Sequence, residues 1–186
     1  MPVAHQTAGM GNSRSRLSPG APAPNSVAET KLLENLEQLP QVEERSALFH
    51  LELGKSSQDR KEWRVALEHY AMGLSCAPQE PRTIYLLYNN GAHCRNMLGL
   101  YAEAEQYARL AIKTDSKRHE AYVNLGISFE GQRDVTSAAW CFVEALKANP
   151  FNLQAAERLR QLLIDYPSLP IQSPRIQLEL DLLERG

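Results

Sequence analysis

Residues 119–150 read HEAYVNLGISFEGQRDVTSAAWCFVEALKANP, and this stretch decides the fold. Tyr122, Leu125, Gly126 and Phe129 recur at helical spacing, and after a break so do Ala138, Phe142 and Ala145. The pattern predicts two antiparallel helices. Gly126 and Ala138 are expected to face each other, small enough for the backbones to approach. Tyr122, Phe129 and Phe142 would fill the volume beside that contact. Asn149-Pro150 stops the second helix. One such hairpin cannot bury its apolar face alone, so further copies are expected.

Thirty-four residues upstream stands a second copy. Tyr88 takes the place of Tyr122, Ala92 of Gly126, Ala104 of Ala138, Ala108 of Phe142 and Ala111 of Ala145. It departs at Gly91 for the leucine, Arg95 for the aromatic and Ser116 for the closing proline. A third copy precedes it, with Leu53-Gly54, Trp63 at the turn, then Ala66, Tyr70, Gly73 and Pro78. Gly54 to Ala66 is twelve residues, as Gly126 to Ala138 is. Gly54 to Ala92 is 38 residues instead of 34, which places a four-residue insertion near Pro78–Pro81.

The spacing large-x2-Leu-Gly-x2-aromatic, then small, aromatic, small and proline, resembles the tetratricopeptide (TPR) repeat. The resemblance implies an all-α fold, a right-handed superhelix of antiparallel helix pairs, with repeats at about 47–84, 85–118 and 119–152. It also implies a concave groove, lined by the first helix of each repeat, that binds a peptide or partner helix. The candidate groove residues are Leu51, Lys55, Asn89, Asn90, His93, Asn96, Val123, Asn124 and Ile127. Some TPR proteins clamp the acidic C-termini of heat-shock chaperones with Lys, Asn and Arg. Those places here hold Leu51, Lys55, Asn90, Glu120 and Asn124; only Asn90 matches, and Glu120 would repel a terminal carboxylate.

Asn90 and Asn124 lie one repeat apart. An amide both donates and accepts, so a row of asparagines can pair with an extended peptide backbone, as in the groove of O-linked N-acetylglucosamine transferases. The plainer reading is that they support helix packing. Leu48, Leu51, Leu86, Val123 and Ile127 would form an apolar stripe if exposed. Trp140, where the other copies have Glu68 and Gln106, is either a partner anchor or packed beneath the closing helix or the tail.

Around the array, residues 1–27 are rich in Ala, Gly, Pro and Ser and are expected to be disordered. Residues 28–46 form an N-terminal helix and connection, with Leu32, Leu33, Leu36 and Leu39 in a stripe. Residues 153–167 form a capping helix with Leu159, Leu162 and Leu163 inward, and 168–186 a linker and short amphipathic tail helix.

Lys+Arg 20 against Asp+Glu 22 argues against a polyanion binder, so no nucleic-acid partner is expected. Three cysteines in no paired motif fit a reducing compartment. No apolar run suits a signal peptide or a membrane span, so a cytoplasmic protein with no membrane role is expected. His93-Cys94 point about 100° apart on a helix and cannot act together. No metal spacing, phosphate loop or nucleophile elbow is present, so neither an enzyme nor a cofactor is expected. The expected function is a protein-interaction module, adaptor, scaffold or chaperone, with a protein or peptide partner. The alternatives are self-association through Trp140 or the tail, and a secretion-type chaperone.

Overall fold

The computed structural model describes residues 42–169 and position 181. The expected disordered segment 1–27, the leucine-striped helix after it and the tail helix, Asp181 apart, lie outside the described residues. Within them are seven α-helices and no strand. They are α1 (Val42–Asp59), α2 (Trp63–Ser75), α3 (Pro81–Met97), α4 (Tyr101–Thr114), α5 (His119–Gly131), α6 (Val135–Ala148) and α7 (Leu153–Asp165). The first six pair as three antiparallel hairpins, and α7 packs on the last.

Each hairpin turns the same way. The carbonyls of Ser57, Arg95 and Phe129 accept from the amides of Glu62, Leu100 and Asp134, each at 2.9 Å. The residue before that donor is left-handed: Lys61 (φ 62°), Gly99 (75°) and Arg133 (63°). This is a Schellman turn repeated in every unit, where glycine fits without strain. The side chains of Asp134 and Asn152 then cap α6 and α7, accepting from the amides of Ser137 and Ala155.

The core is built on a trade of volume within each hairpin. A Cβ on Gly126 would stand 2.5 Å from the Phe142 ring, and one on Gly54 2.3 Å from the Tyr70 ring. Gly126 is therefore matched to an aromatic lying on it, a closer contact than the expected one with Ala138. In the middle hairpin the same two places hold Ala92 and Ala108, both fully buried. Large against nothing is replaced by small against small. Completely buried Phe142 and Tyr70 each contribute about 2–3 kcal/mol of apolar burial.

The departures of the middle copy also have a physical account. Arg95, in the aromatic place, lays its guanidinium 3.6 Å from the centre of the Tyr107 ring and pairs with Glu103. Gly91 makes room for that ring, since a Cβ there would approach it to 3.0 Å.

The four-residue insertion has a definite location. The link before α3 (76–80) is one residue longer than those before α5 (115–118) and α7 (149–152). Helix α3 has 17 residues against 13 in α5. Most of the insertion thus becomes an extra helical turn at the start of α3, opened by Pro81, a residue suited to the first turn. Helix α1, also long at 18 residues, runs beside it.

A candidate peptide-binding groove

The first helices of the hairpins, α1, α3 and α5, line one surface, and the start of α7 closes its far end. Three cavities follow this surface. One of about 480 Å³ lies between the early turns of α1 and α3, against Leu48, Leu51, Glu52, Lys55 and Leu86. A central one of about 200 Å³ is walled by Gln58, Asn89, Asn90, His93, Val123 and Asn124. A third, of about 440 Å³, lies among α3, α5 and α7, against His93, Asn96, Ile127, Glu130 and Arg158. His93 and Gln154 border both the second and the third.

All nine candidate groove residues border one of these cavities, but they differ in how much they offer a ligand. Leu51 is 1% exposed and packs with Ala66, Tyr70, Leu87 and Cys94, so it forms floor. Lys55 is exposed and pairs with Glu52 at 2.9 Å. Val123 is buried, while Ile127, Asn90 and His93 are half-buried. Trp63 meets His93 edge-on with ring centres 5.8 Å apart, and burial pushes the His93 imidazole below its ordinary value, favouring the neutral ring.

Asn124 is committed inside the protein. Its Nδ2 donates to the Asn89 carbonyl (3.2 Å) and to Asn89 Oδ1 (2.9 Å). Its own carbonyl accepts from Asn96 Nδ2 (2.8 Å) and Ser128 Oγ (2.8 Å), and the single Ser128 hydroxyl proton is shared with Asn96 Oδ1 (3.0 Å). These four side chains are buried and fasten α3 to α5. Asn90 and Asn124, alike in sequence, are therefore unlike in setting: Asn90 keeps a half-open position and accepts from Asn89 Nδ2 at 3.3 Å.

The charges along the groove are mixed. Glu120, at a clamp place, accepts from Arg118 and from the Tyr85 hydroxyl. Partial burial opposes its charge, but hydrogen bonds from its backbone and from Arg118 outweigh this and hold its carboxyl below the usual range. Glu130 is paired with Arg158, yet burial dominates and raises its carboxyl. Residues outside the sequence-derived set also line the groove: Glu44, Glu80, Arg82, Thr83, Gln154 and Arg158. The 38-residue step was the available signal for those at the α3 start. Nothing in the spacing pointed to α7 as a groove wall.

Two of the three thiols are internal. Burial pushes the thiols of Cys94 and Cys141 up to about 12, so they are inert apolar fillers. Among the described residues no group of three His, Cys, Asp or Glu could hold a metal ion, and no helix is long and apolar enough to cross a membrane. Trp140 is half-buried and packs against the core of the last hairpin.

This arrangement is a TPR fold: three helix hairpins stacked with a closing helix, and a groove on the inner helices. Solved structures agree. The first TPR of Spaghetti (RPAP3), bound to the HSP90 peptide SRMEEVD, is 23% identical and superposes with a TM-score of 0.62, covering 67% of this chain and 96% of that one. The TPR domain of Arabidopsis OM64 is 24% identical with a TM-score of 0.60, over 64% of this chain and 96% of that one. The Hsp90 co-chaperone Cns1 from Saccharomyces cerevisiae is 19% identical with a TM-score of 0.66, over 77% and 46%. A U-box domain-containing protein 70 from Oryza sativa subsp. japonica is 24% identical over 128 residues; the match takes in 69% of this chain but 15% of that protein. No family model matches the chain.

Proposed function

We propose that the chain is a protein-interaction domain that holds a segment of a partner protein along α1, α3 and α5, as an adaptor or co-chaperone does. The observation that carries this reading is the line of three cavities on the inner helices, with leucines among charged side chains at the α1 end and amides in the centre. Leu51 and Val123 form the floor, and Lys55, Asn90, His93 and Ile127 contact the ligand. Asn89, Asn96 and Asn124 hold the shape of the groove from within. Micromolar affinity, about −8 kcal/mol, is ordinary for such a site.

The RPAP3 domain is described with an acidic heat-shock peptide. Here Glu120 and buried Leu51 stand where cations would be needed, so the ligand differs in charge. Synthetic SRMEEVD is expected to give no saturable binding to this chain by calorimetry; a micromolar constant would restore the chaperone-tail reading.

A photo-crosslinking amino acid at Asn90 is expected to capture a partner that the same group at Met72, exposed on α2, does not capture. The captured segment, made synthetically, should bind the purified chain, and Asn90→Arg should abolish that binding without lowering the melting temperature. Capture from Met72 alone, or capture of a second copy alone, would overturn the groove reading.

A further inference from the structure

We propose that the cavity between the first turns of α1 and α3 takes a lysine or arginine side chain of the bound partner, with its stem on Leu48 and Leu86 and its head at Glu44. This rests on the groove reading above and adds the charge of the ligand. The cavity exists because the chain departs from its own repeat. The extra turn of α3 brings Arg82 and Thr83 opposite Glu44 of α1, and α5 has no such turn.

Glu44 is 7% exposed. Its Oε2 accepts from the amides of Gln79 (2.9 Å) and Glu80 (3.2 Å), closing the chain onto the start of α3. Its Oε1 is buried and has no hydrogen-bond partner. A buried carboxylate oxygen without a donor is costly, and a charged N–H is its strongest complement. Leu48, Leu51 and Leu86 add apolar wall to the cavity, which suits the methylene stem of a basic residue. Three carboxylates, Glu44, Glu52 and Glu80, border the cavity against Lys55 and Arg82, and Lys55 is already paired with Glu52. An acidic side chain would meet net negative charge there, and an apolar one would leave Oε1 without a donor.

The test uses the full chain and three amide-capped leucine–alanine peptides carrying lysine, glutamine or glutamate at the same positions. Affinity is read by fluorescence anisotropy and location by amide chemical shifts. The lysine peptide is expected to bind about tenfold tighter than the glutamine peptide, with the glutamate peptide weakest, and to shift the amides of Gln79, Glu80 and Thr83. Glu44→Gln should remove the lysine preference, so that the lysine and glutamine peptides bind alike. Should that variant fail to fold, Leu48→Lys, which supplies the cavity with its own cation, should remove the preference instead.

Equal binding of all three peptides, with shifts confined to Asn90, Val123 and Ile127, would overturn the basic pocket and leave the groove standing. A lysine preference that survives both substitutions would also overturn it. Shifts confined to the backs of α2, α4 and α6 would overturn both readings.

Discussion

Gly126 sits under the ring of Phe142, and the middle hairpin shows what the alternative looks like. A methyl at Gly126 overlaps the ring, so the usual helix gain of about 1 kcal/mol from Gly→Ala is outweighed by overpacking of about 1–3 kcal/mol. Gly126→Ala is therefore expected to destabilise the chain in urea titration. In a Phe142→Ala background the same change should be neutral or stabilising, because the pair then matches Ala92 and Ala108. A cost for Gly126→Ala that is the same in both backgrounds would refute the volume trade. Asn124 supplies a second residue-level case. Asn124→Ala leaves the Asn89 side-chain oxygen without its buried donor and should cost about 1–3 kcal/mol, while Asn90→Ala should cost little. Equal melting temperatures for the two variants would contradict the difference in setting. Which asparagine turns inward was not legible from sequence: both occupy the same repeat position, and the choice depends on Asn89, Asn96 and Ser128 meeting across two helices.

At the scale of elements, the hairpin turns hold a reserve of stability. Gly99 occupies the left-handed place in the middle repeat, and Lys61 and Arg133 occupy it in the others. A side chain there costs about 1–2 kcal/mol, partly offset by the greater freedom glycine gains on unfolding. Lys61→Gly and Arg133→Gly are each expected to raise stability by about 0.5–1 kcal/mol, seen as a higher denaturant midpoint with an unchanged slope. The converse, Gly99→Lys, should lower it. The helices themselves were legible because Tyr122, Leu125, Gly126 and Phe129 recur at a helical period and the same set repeats 34 residues away. The turn geometry was not, since neither Lys61 nor Arg133 announces a left-handed residue. The insertion is legible as a number, 38 against 34, and as a place near Pro78–Pro81, but not as a helical turn that Pro81 opens.

For the whole molecule, the sequence established an inner helical face but not the inventory of what it presents. Three of the nine groove candidates, Asn89, Asn96 and Asn124, belong to the seam between α3 and α5, because a position facing the groove also faces the neighbouring helix when the helices lie close. That seam has a consequence for how the array comes apart. The middle and last hairpins share five kinds of side-chain bond: Asn124 to Asn89, Asn96 to Asn124, Ser128 to Asn96, Tyr85 to Glu120, and Gln132 to Glu105. Between the first hairpin and the middle one stand the bonds from the linker amides to Glu44 of α1, a sulfur contact from Cys94 to Gln58 and the edge-on meeting of Trp63 with His93. In a stacked array, each boundary contributes its own coupling, so the weakest one sets where partial opening begins. Native-state hydrogen exchange should therefore show α1 and α2 opening as one cooperative unit while α3 to α6 stay protected. Because α1 carries one wall of the groove, that opening would dismantle the ligand site while most of the protein remained folded, and a bound segment would raise the protection of α1 above that of the free chain.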